Sequence, residues 1–151
     1  MTHIRVASEA DVESLFDIRT SVLENHQSRA DLARVGVTPD SVAQMLHSSF
    51  RAWIASERKQ DVAFSMADAS EATVFAMFVR PAFEGRGLGR ILMKRAEDWL
   101  FKQGCVEIWL LTDANRDVRA NGFYRHLGWD DAGIQQDGQV KFTKTRPTDL
   151  E

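Results

Sequence analysis

The chain has 151 residues, 44% of them hydrophobic, which is enough for a single domain over residues 1–151 with a sizeable core. A net charge of −3, from 19 basic and 22 acidic residues, leaves no basic footprint for nucleic acid or an anionic membrane. Apolar runs such as Val74 to Val79 are far too short to cross a bilayer, Met1 to Arg5 hold no signal-peptide core, and the lone Cys105 excludes an internal disulfide, so a cytoplasmic protein is expected.

Ile4 to Ala7 alternates as a short strand, and Ser8-Glu9-Ala10-Asp11 reads as a cap with acids in the first turn of a helix. Val12, Leu15, Phe16, Ile18, Val22 and Leu23 give that helix its apolar face. A polar stretch follows from Glu24 to Arg34. Thr38 then caps a second helix with Pro39 at its first position and Val42, Met45 and Leu46 facing inward. From Ala52 the period changes to that of strands. Ala52–Ala55, Val62–Ala67 and Thr73–Val79 are separated by polar connections and predict an antiparallel meander.

Pro81 stops the third of these strands. Gly85, Gly87 and Gly89 come next, and an amphipathic helix runs from Leu88 to Gln103 with Gly104 as its stop. Glycines let a backbone approach a ligand closely, and a new helix offers unpaired N–H groups, so this order predicts an anion site. Arg86 and Arg90, four apart, would add two guanidinium groups if both lay in the first turn. The spacing fits neither common nucleotide motif. Both the dinucleotide fingerprint and the P-loop need a glycine at position 90, where Arg90 stands. Val106–Leu111 reads as a buried strand, Val118–Leu127 as a helix, and two final strands near 133–136 and 140–144 flank an Asp137-Gly138 turn.

Two segments resemble the GNAT superfamily of acetyl-coenzyme A-dependent N-acetyltransferases. Val79-Arg80-Pro81 followed by Gly87-x-Gly89 is similar to its pyrophosphate motif, with Glu84 where that family has Gln or Arg. Ala120, Phe123, Tyr124, Gly128 and Trp129 fall at the spacing of its second motif, with Asp117 in place of Asn and Asn115 close by. The resemblance implies an α+β fold: one mixed, mostly antiparallel sheet of about seven strands with about four helices. It also implies that the strands ending near Val79 and Leu111 splay apart to admit the pantetheine arm.

For the site, the resemblance implies acetyl-CoA held by Phe78, Val79, Glu84, Gly85, Arg86, Gly87, Leu88, Gly89, Arg90, Asn115, Asp117 and Tyr124. Tyr124, the only tyrosine, would protonate the departing thiolate, because a phenol stays protonated at neutral pH. A backbone N–H of Phe78 or Val79 would hold the oxyanion. Thr73 to Val79 contains no acid or histidine, so a general base must come from elsewhere: Glu24 first, then Asp68, Glu71 or His26. Glu24, Asn25 and Asp68 are the candidate acceptor-binding residues. Cys105 opens a buried strand and is poorly placed as an acyl carrier, which favours direct transfer to a primary amine of a small molecule or peptide. The four histidines lack metal-ligand spacing, so no metal is expected. A non-catalytic acyl-CoA-binding domain is the alternative function, and a homodimer paired through terminal strands stays open.

Overall fold

The computed structural model describes residues 2–23, 26–113 and 118–148. Seven strands form one sheet in the order β1-β2-β3-β4-β5-β7-β6. β1 (Thr2–Val6), β2 (Phe50–Glu57), β3 (Gln60–Asp68) and β4 (Thr73–Val79) make an antiparallel meander, as the alternation predicts. β5 (Glu107–Asp113) pairs in full with β7 (Gln139–Thr145), which also carries β6 (Asp130–Ile134).

Helices cover both faces. α1 (Val12–Arg19), α2 (Arg29–Arg34) and α3 (Pro39–Leu46) belong to one side, where Leu15, Phe16, Ile18, Leu32 and Val42 pack with Ile54, Phe64 and Met66. On the other side α4 (Leu88–Lys102) buries Leu88, Leu92, Met93, Ala96 and Leu100 against Trp53, Val62, Ile108, Leu110 and Phe142. Phe123 and Tyr124 of α5 (Val118–His126) pack on this second cluster.

Three local differences from the sequence reading have physical causes. α1 stops at Arg19 instead of continuing to Leu23, because the Thr20 and Ser21 hydroxyls donate to the Phe16 and Ile18 carbonyls at 2.8 and 2.6 Å; Leu23 is 82% exposed. The polar stretch contains the fifth helix, α2, which Ser28 caps by accepting from the Asp31 N–H at 3.1 Å while the Asp31 carboxylate accepts from the Ser28 N–H at 3.0 Å. Arg86 precedes α4 rather than lying in its first turn.

The feature that positions the site is a split in the sheet. β4 and β5 are parallel neighbours, yet their register is limited to Thr73 opposite Trp109. That point is pinned three times: Trp109 N–H donates to the Ala72 carbonyl at 3.1 Å, Thr73 Oγ1 to the Trp109 carbonyl at 2.8 Å, and Trp109 Nε1 to the Glu71 carbonyl at 2.9 Å. Beyond it the two strands diverge. β4 also carries a bulge at Phe75, between the Met66–Ala76 and Ala67–Val74 pairs, and a bulge sharpens strand twist.

Candidate active site

Residues 74–79 of β4 pair with β3 along one edge and have no strand partner along the other among the described residues, so past the Phe75 bulge every second peptide faces the gap. The phase follows from one bond. Arg80 N–H donates to the Val62 carbonyl at 2.8 Å, and Phe78 stands opposite Phe64. Alternation in an antiparallel ladder then directs Phe78 N–H at β3 and leaves the N–H groups of Met77 and Val79 pointing toward β5. Of the two expected oxyanion donors, the phase keeps Val79 and spends Phe78 on the ladder. Met77, which was not among the candidates, joins Val79. Only the observed register gives this parity, so no sequence signal marks Met77.

Past Val79 the chain makes a tight 3-10 turn, Pro81–Phe83, and enters α4 through two left-handed residues, Gly85 at φ 78° and Gly87 at φ 81°. Gly87 is the N-cap, and the first helical bond runs from Ile91 N–H to the Gly87 carbonyl at 3.2 Å. The N–H groups of Leu88, Gly89 and Arg90 therefore precede the helical ladder, at the positive end of the helix dipole. Leu88 is buried, so it can offer an incoming anion only its peptide. Glu84 is exposed in extended backbone before Gly85. Arg86 reaches back instead of forward: its Nη1 donates to Glu57 Oε1 at 2.9 Å and its guanidinium covers the Phe83 ring at 4.9 Å. Arg90 is exposed and, with Lys94 and Arg95, lines a shallow depression that begins at Gly87.

Close packing brings the loop to the phenol. A Cβ on Gly89 would come within 3.3 Å of both Met77 Cε and Phe123 Cζ, so the start of α4, the gap edge of β4 and α5 converge there. Tyr124 follows Phe123, its ring centroid 5.2 Å from that of Phe123, 5.5 Å from Phe142 and 6.5 Å from Trp129. Burial pushes the Tyr124 phenol up to about 12, which keeps its proton in place throughout the neutral range. On the opposite face the Arg19 guanidinium lies 4.3 Å over the Phe78 ring, and burial lowers its pKa.

The other sequence candidates are distributed unevenly. Glu24, Asn25, Asn115 and Asp117 lie outside the described residues. Asp68 does not reach the gap. It faces Thr73 at the pinned end of β4, about 20 Å of strand from Val79. Its carboxylate accepts from Ser49 Oγ at 2.6 Å and from the Ser70 N–H and Oγ at 3.0 and 2.8 Å. Burial tends to raise its pKa, and those hydrogen bonds outweigh burial and hold it below the ordinary carboxylate value. Glu71, whose carbonyl holds Trp109, belongs to the same distant turn. His26 is exposed, with Nδ1 3.0 Å from the Val22 carbonyl. Among the described residues, no three His, Cys, Asp or Glu side chains cluster to hold a metal ion, and no helix is long and apolar enough to cross a membrane.

A sheet split between parallel neighbours, a bulged strand presenting free peptides and a glycine-led helix beside them form the scaffold of one large acyltransferase class. Residues 43–129 match the model of the acetyltransferase (GNAT) family, and the chain belongs to that family. It is 35% identical over 82 residues to the [ribosomal protein bS18]-alanine N-acetyltransferase of Salmonella typhimurium, a stretch covering 54% of this chain and 55% of that protein. The Escherichia coli K12 enzyme of the same name is 36% identical over 66 residues, 44% of each chain. The match thus spans about half the length of these curated relatives.

Among solved structures, PaiA N-acetyltransferase of Thermoplasma acidophilum, crystallised with coenzyme A, superimposes with a TM-score of 0.82 over 97% of this chain and 99% of that one at 16% identity. The ribosomal-protein-S18-alanine N-acetyltransferase of Escherichia coli gives 0.75 over 100% and 99% at 21% identity. These two likenesses establish the fold.

Proposed function

We propose that this protein transfers an acetyl group from acetyl-CoA directly to the N-terminal α-amine of a polypeptide. The observation that carries the reading is the gap: β4 and β5 part after a single paired position, and the N–H groups of Met77 and Val79, without a partner among the described residues, face the opening. The pantetheine arm, itself a chain of amides, fits such an edge, with the pyrophosphate on the N–H groups of residues 85–90.

In the chemical step the amine nitrogen attacks the thioester carbonyl carbon. The new C–N bond places negative charge on the carbonyl oxygen, which takes hydrogen bonds from the Met77 or Val79 N–H. As the intermediate collapses the C–S bond breaks, the sulfur leaves with the bonding pair, and Tyr124 Oη gives it a proton. The ammonium formed on the acceptor loses its proton to water, and the phenol is reprotonated from solvent.

Glu24, the first-ranked base, lies outside the described residues, and β4 itself has no acid or histidine. An acceptor that is already partly neutral asks least of a base. A polypeptide α-amine, with a pKa near ~8, meets that condition, whereas a lysine near ~10.4 does not. The relatives' names, which specify the alanine of a ribosomal protein, favour the same acceptor.

The test has two stages. Calorimetry with CoA should show saturable binding. A peptide with a free N-terminal alanine and an internal lysine should then release thiol from acetyl-CoA and carry the acetyl group on its α-nitrogen, as located by mass spectrometry. Absence of CoA binding would reject the cofactor assignment. Binding without amine-dependent thiol release would favour the non-catalytic alternative, and acetyl on lysine would reject the acceptor.

A further inference from the structure

Behind the phenol lies a buried ionic cluster that the proposed chemistry does not use. Glu97 projects from α4 into the core and is 7% exposed. Its Oε2 accepts from Trp129 Nε1 at 2.9 Å and its Oε1 from Lys144 Nζ at 2.7 Å. The same ammonium donates to the Leu127 carbonyl at 2.8 Å. Gly128, left-handed at φ 90°, packs beside that ammonium, and a Cβ there would make ordinary contact with Lys144 Nζ at 3.7 Å. Three elements meet at this point, namely the body of α4, the turn that ends α5, and β7.

Stability is a poor explanation for the cluster. Removing a carboxylate and an ammonium from water costs several kcal/mol per ion, and apolar residues of similar volume often serve as well or better. What distinguishes an ionic cluster from an apolar one is its fixed directions. Here those directions bear on Trp129. Its indole N–H is tied to Glu97, its ring stands edge-on to Tyr124 at 6.5 Å, and its backbone N–H donates to the Tyr124 carbonyl at 3.0 Å. Glu97 lies on the helix whose N-terminus forms the anion site. One rigid element is therefore linked to the cofactor's pyrophosphate at one end and to the wall of the phenol further along.

We infer that Glu97 and Lys144 are positioning residues for acetyl transfer: the buried pair locks the 127–129 turn onto α4 and so sets where the Tyr124 hydroxyl stands relative to a cofactor gripped by the same helix. The inference rests on Tyr124 as the acid of the proposed reaction. Misplacing a reacting group by about 1 Å costs on the order of 100-fold in rate. Loss of the lock should thus appear in turnover while leaving cofactor affinity alone, because the anion-binding peptides lie at the other end of the helix.

The decisive comparison is between the full-length protein and its Glu97→Leu/Lys144→Met double variant, with Glu97→Gln as a milder change that keeps an acceptor for Trp129. Tyr124 is the only tyrosine, so uniform 13C-tyrosine labelling gives one ring spectrum that reports it alone. The expected result is a double variant that stays folded at the assay temperature, with a Tm lowered by the orphaned Trp129 indole N–H, binds CoA within about twofold, turns over about tenfold or more slowly, and shows a shifted or broadened tyrosine signal in the CoA complex. Glu97→Gln should fall between the two. Unchanged turnover and an unchanged tyrosine signal would overturn the inference, as would a loss of turnover matched by an equal loss of CoA affinity or folded fraction. Should the double variant fail to fold, Glu97→Gln decides by the same criteria. Full turnover in Tyr124→Phe is a different failure, since it removes the acid assignment itself.

Discussion

Gly89 and Phe123 touch so closely that a side chain on the first would displace the second: a Cβ at Gly89 would lie 3.3 Å from Phe123 Cζ, and as close to Met77 Cε. The backbone at Gly89 is ordinary helix, so the glycine is there for space and not for dihedral freedom. Gly89→Ala should be close to neutral, because a gain of up to ~1 kcal/mol in helix propensity offsets a few tenths of an ångström of adjustment. Gly89→Leu should destabilise by about 1–3 kcal/mol, or about 3 °C in Tm per kcal/mol, and weaken CoA binding by pushing α5 and β4 off the helix start. Calorimetric melting and CoA titration of both variants check this. A Leu variant that bound CoA like its parent would show that the three elements need not converge so tightly.

Gly87 makes the opposite case. Nothing lies within 4 Å of its Cβ position, but its φ of 81° is left-handed, which costs an L side chain roughly 1–2 kcal/mol. Gly87→Ala should carry that cost and turn the neighbouring N–H groups, raising the Kd for CoA about tenfold. Gly36, at φ 85° with equally open surroundings, provides the control. Gly36→Ala should lose similar stability with no change in CoA affinity.

Asp68 ties Ser70 of the β3–β4 turn to Ser49 before β2, accepting from the Ser70 N–H and hydroxyl and the Ser49 hydroxyl, and stands at the pinned end of β4. Asp68→Asn weakens bonds to a charged acceptor, so it should cost about 1–3 kcal/mol of stability and leave kcat and KM unchanged. The pH dependence should follow. The folded carboxyl titrates below its unfolded value, so its contribution is complete above the unfolded pKa and fades as pH falls through the folded one. Denaturant melts from pH 7 down to pH 2 should therefore converge for the parent and Asp68→Asn at the acid end.

The sequence was legible wherever one local rule decided the outcome. Thr38 with Pro39 starts α3, and Thr73–Val79 is a strand from its first to its last expected residue, because cap chemistry and alternation act within a few positions. Helix α2 escaped because Leu32 is its buried residue, too little for an apolar period, although the reciprocal Ser28–Asp31 cap was readable. The family was legible in the motif positions, and the geometry of the candidate site was not. That Arg86 turns to Glu57, that Val79 and not Phe78 points its peptide into the gap, and that Glu97 lies beneath Trp129 all depend on partners well beyond the reach of a local motif.

Tyr124 yields the most direct test of the chemistry. Burial raises its phenol from 10 in the unfolded chain to about 12 in the fold. Between those values the unfolded state binds fewer protons than the native one, so the group's contribution to stability is complete below pH 10 and is lost as pH rises through 12. Tyr124→Phe should remove that alkaline loss. For catalysis the same shift means that the acid stays protonated across the working range, so kcat should show no descending limb from this group below pH 10. Replacing the phenol by phenylalanine removes only the proton donor, because the ring contacts with Phe123, Phe142 and Trp129 persist. Turnover should fall by about 10²–10⁴, the usual worth of a positioned acid, while the Kd for CoA stays within about twofold. If the variant instead lost CoA affinity and kept its turnover at saturation, the hydroxyl would be a binding contact, and the proton for the thiolate would have to come from water.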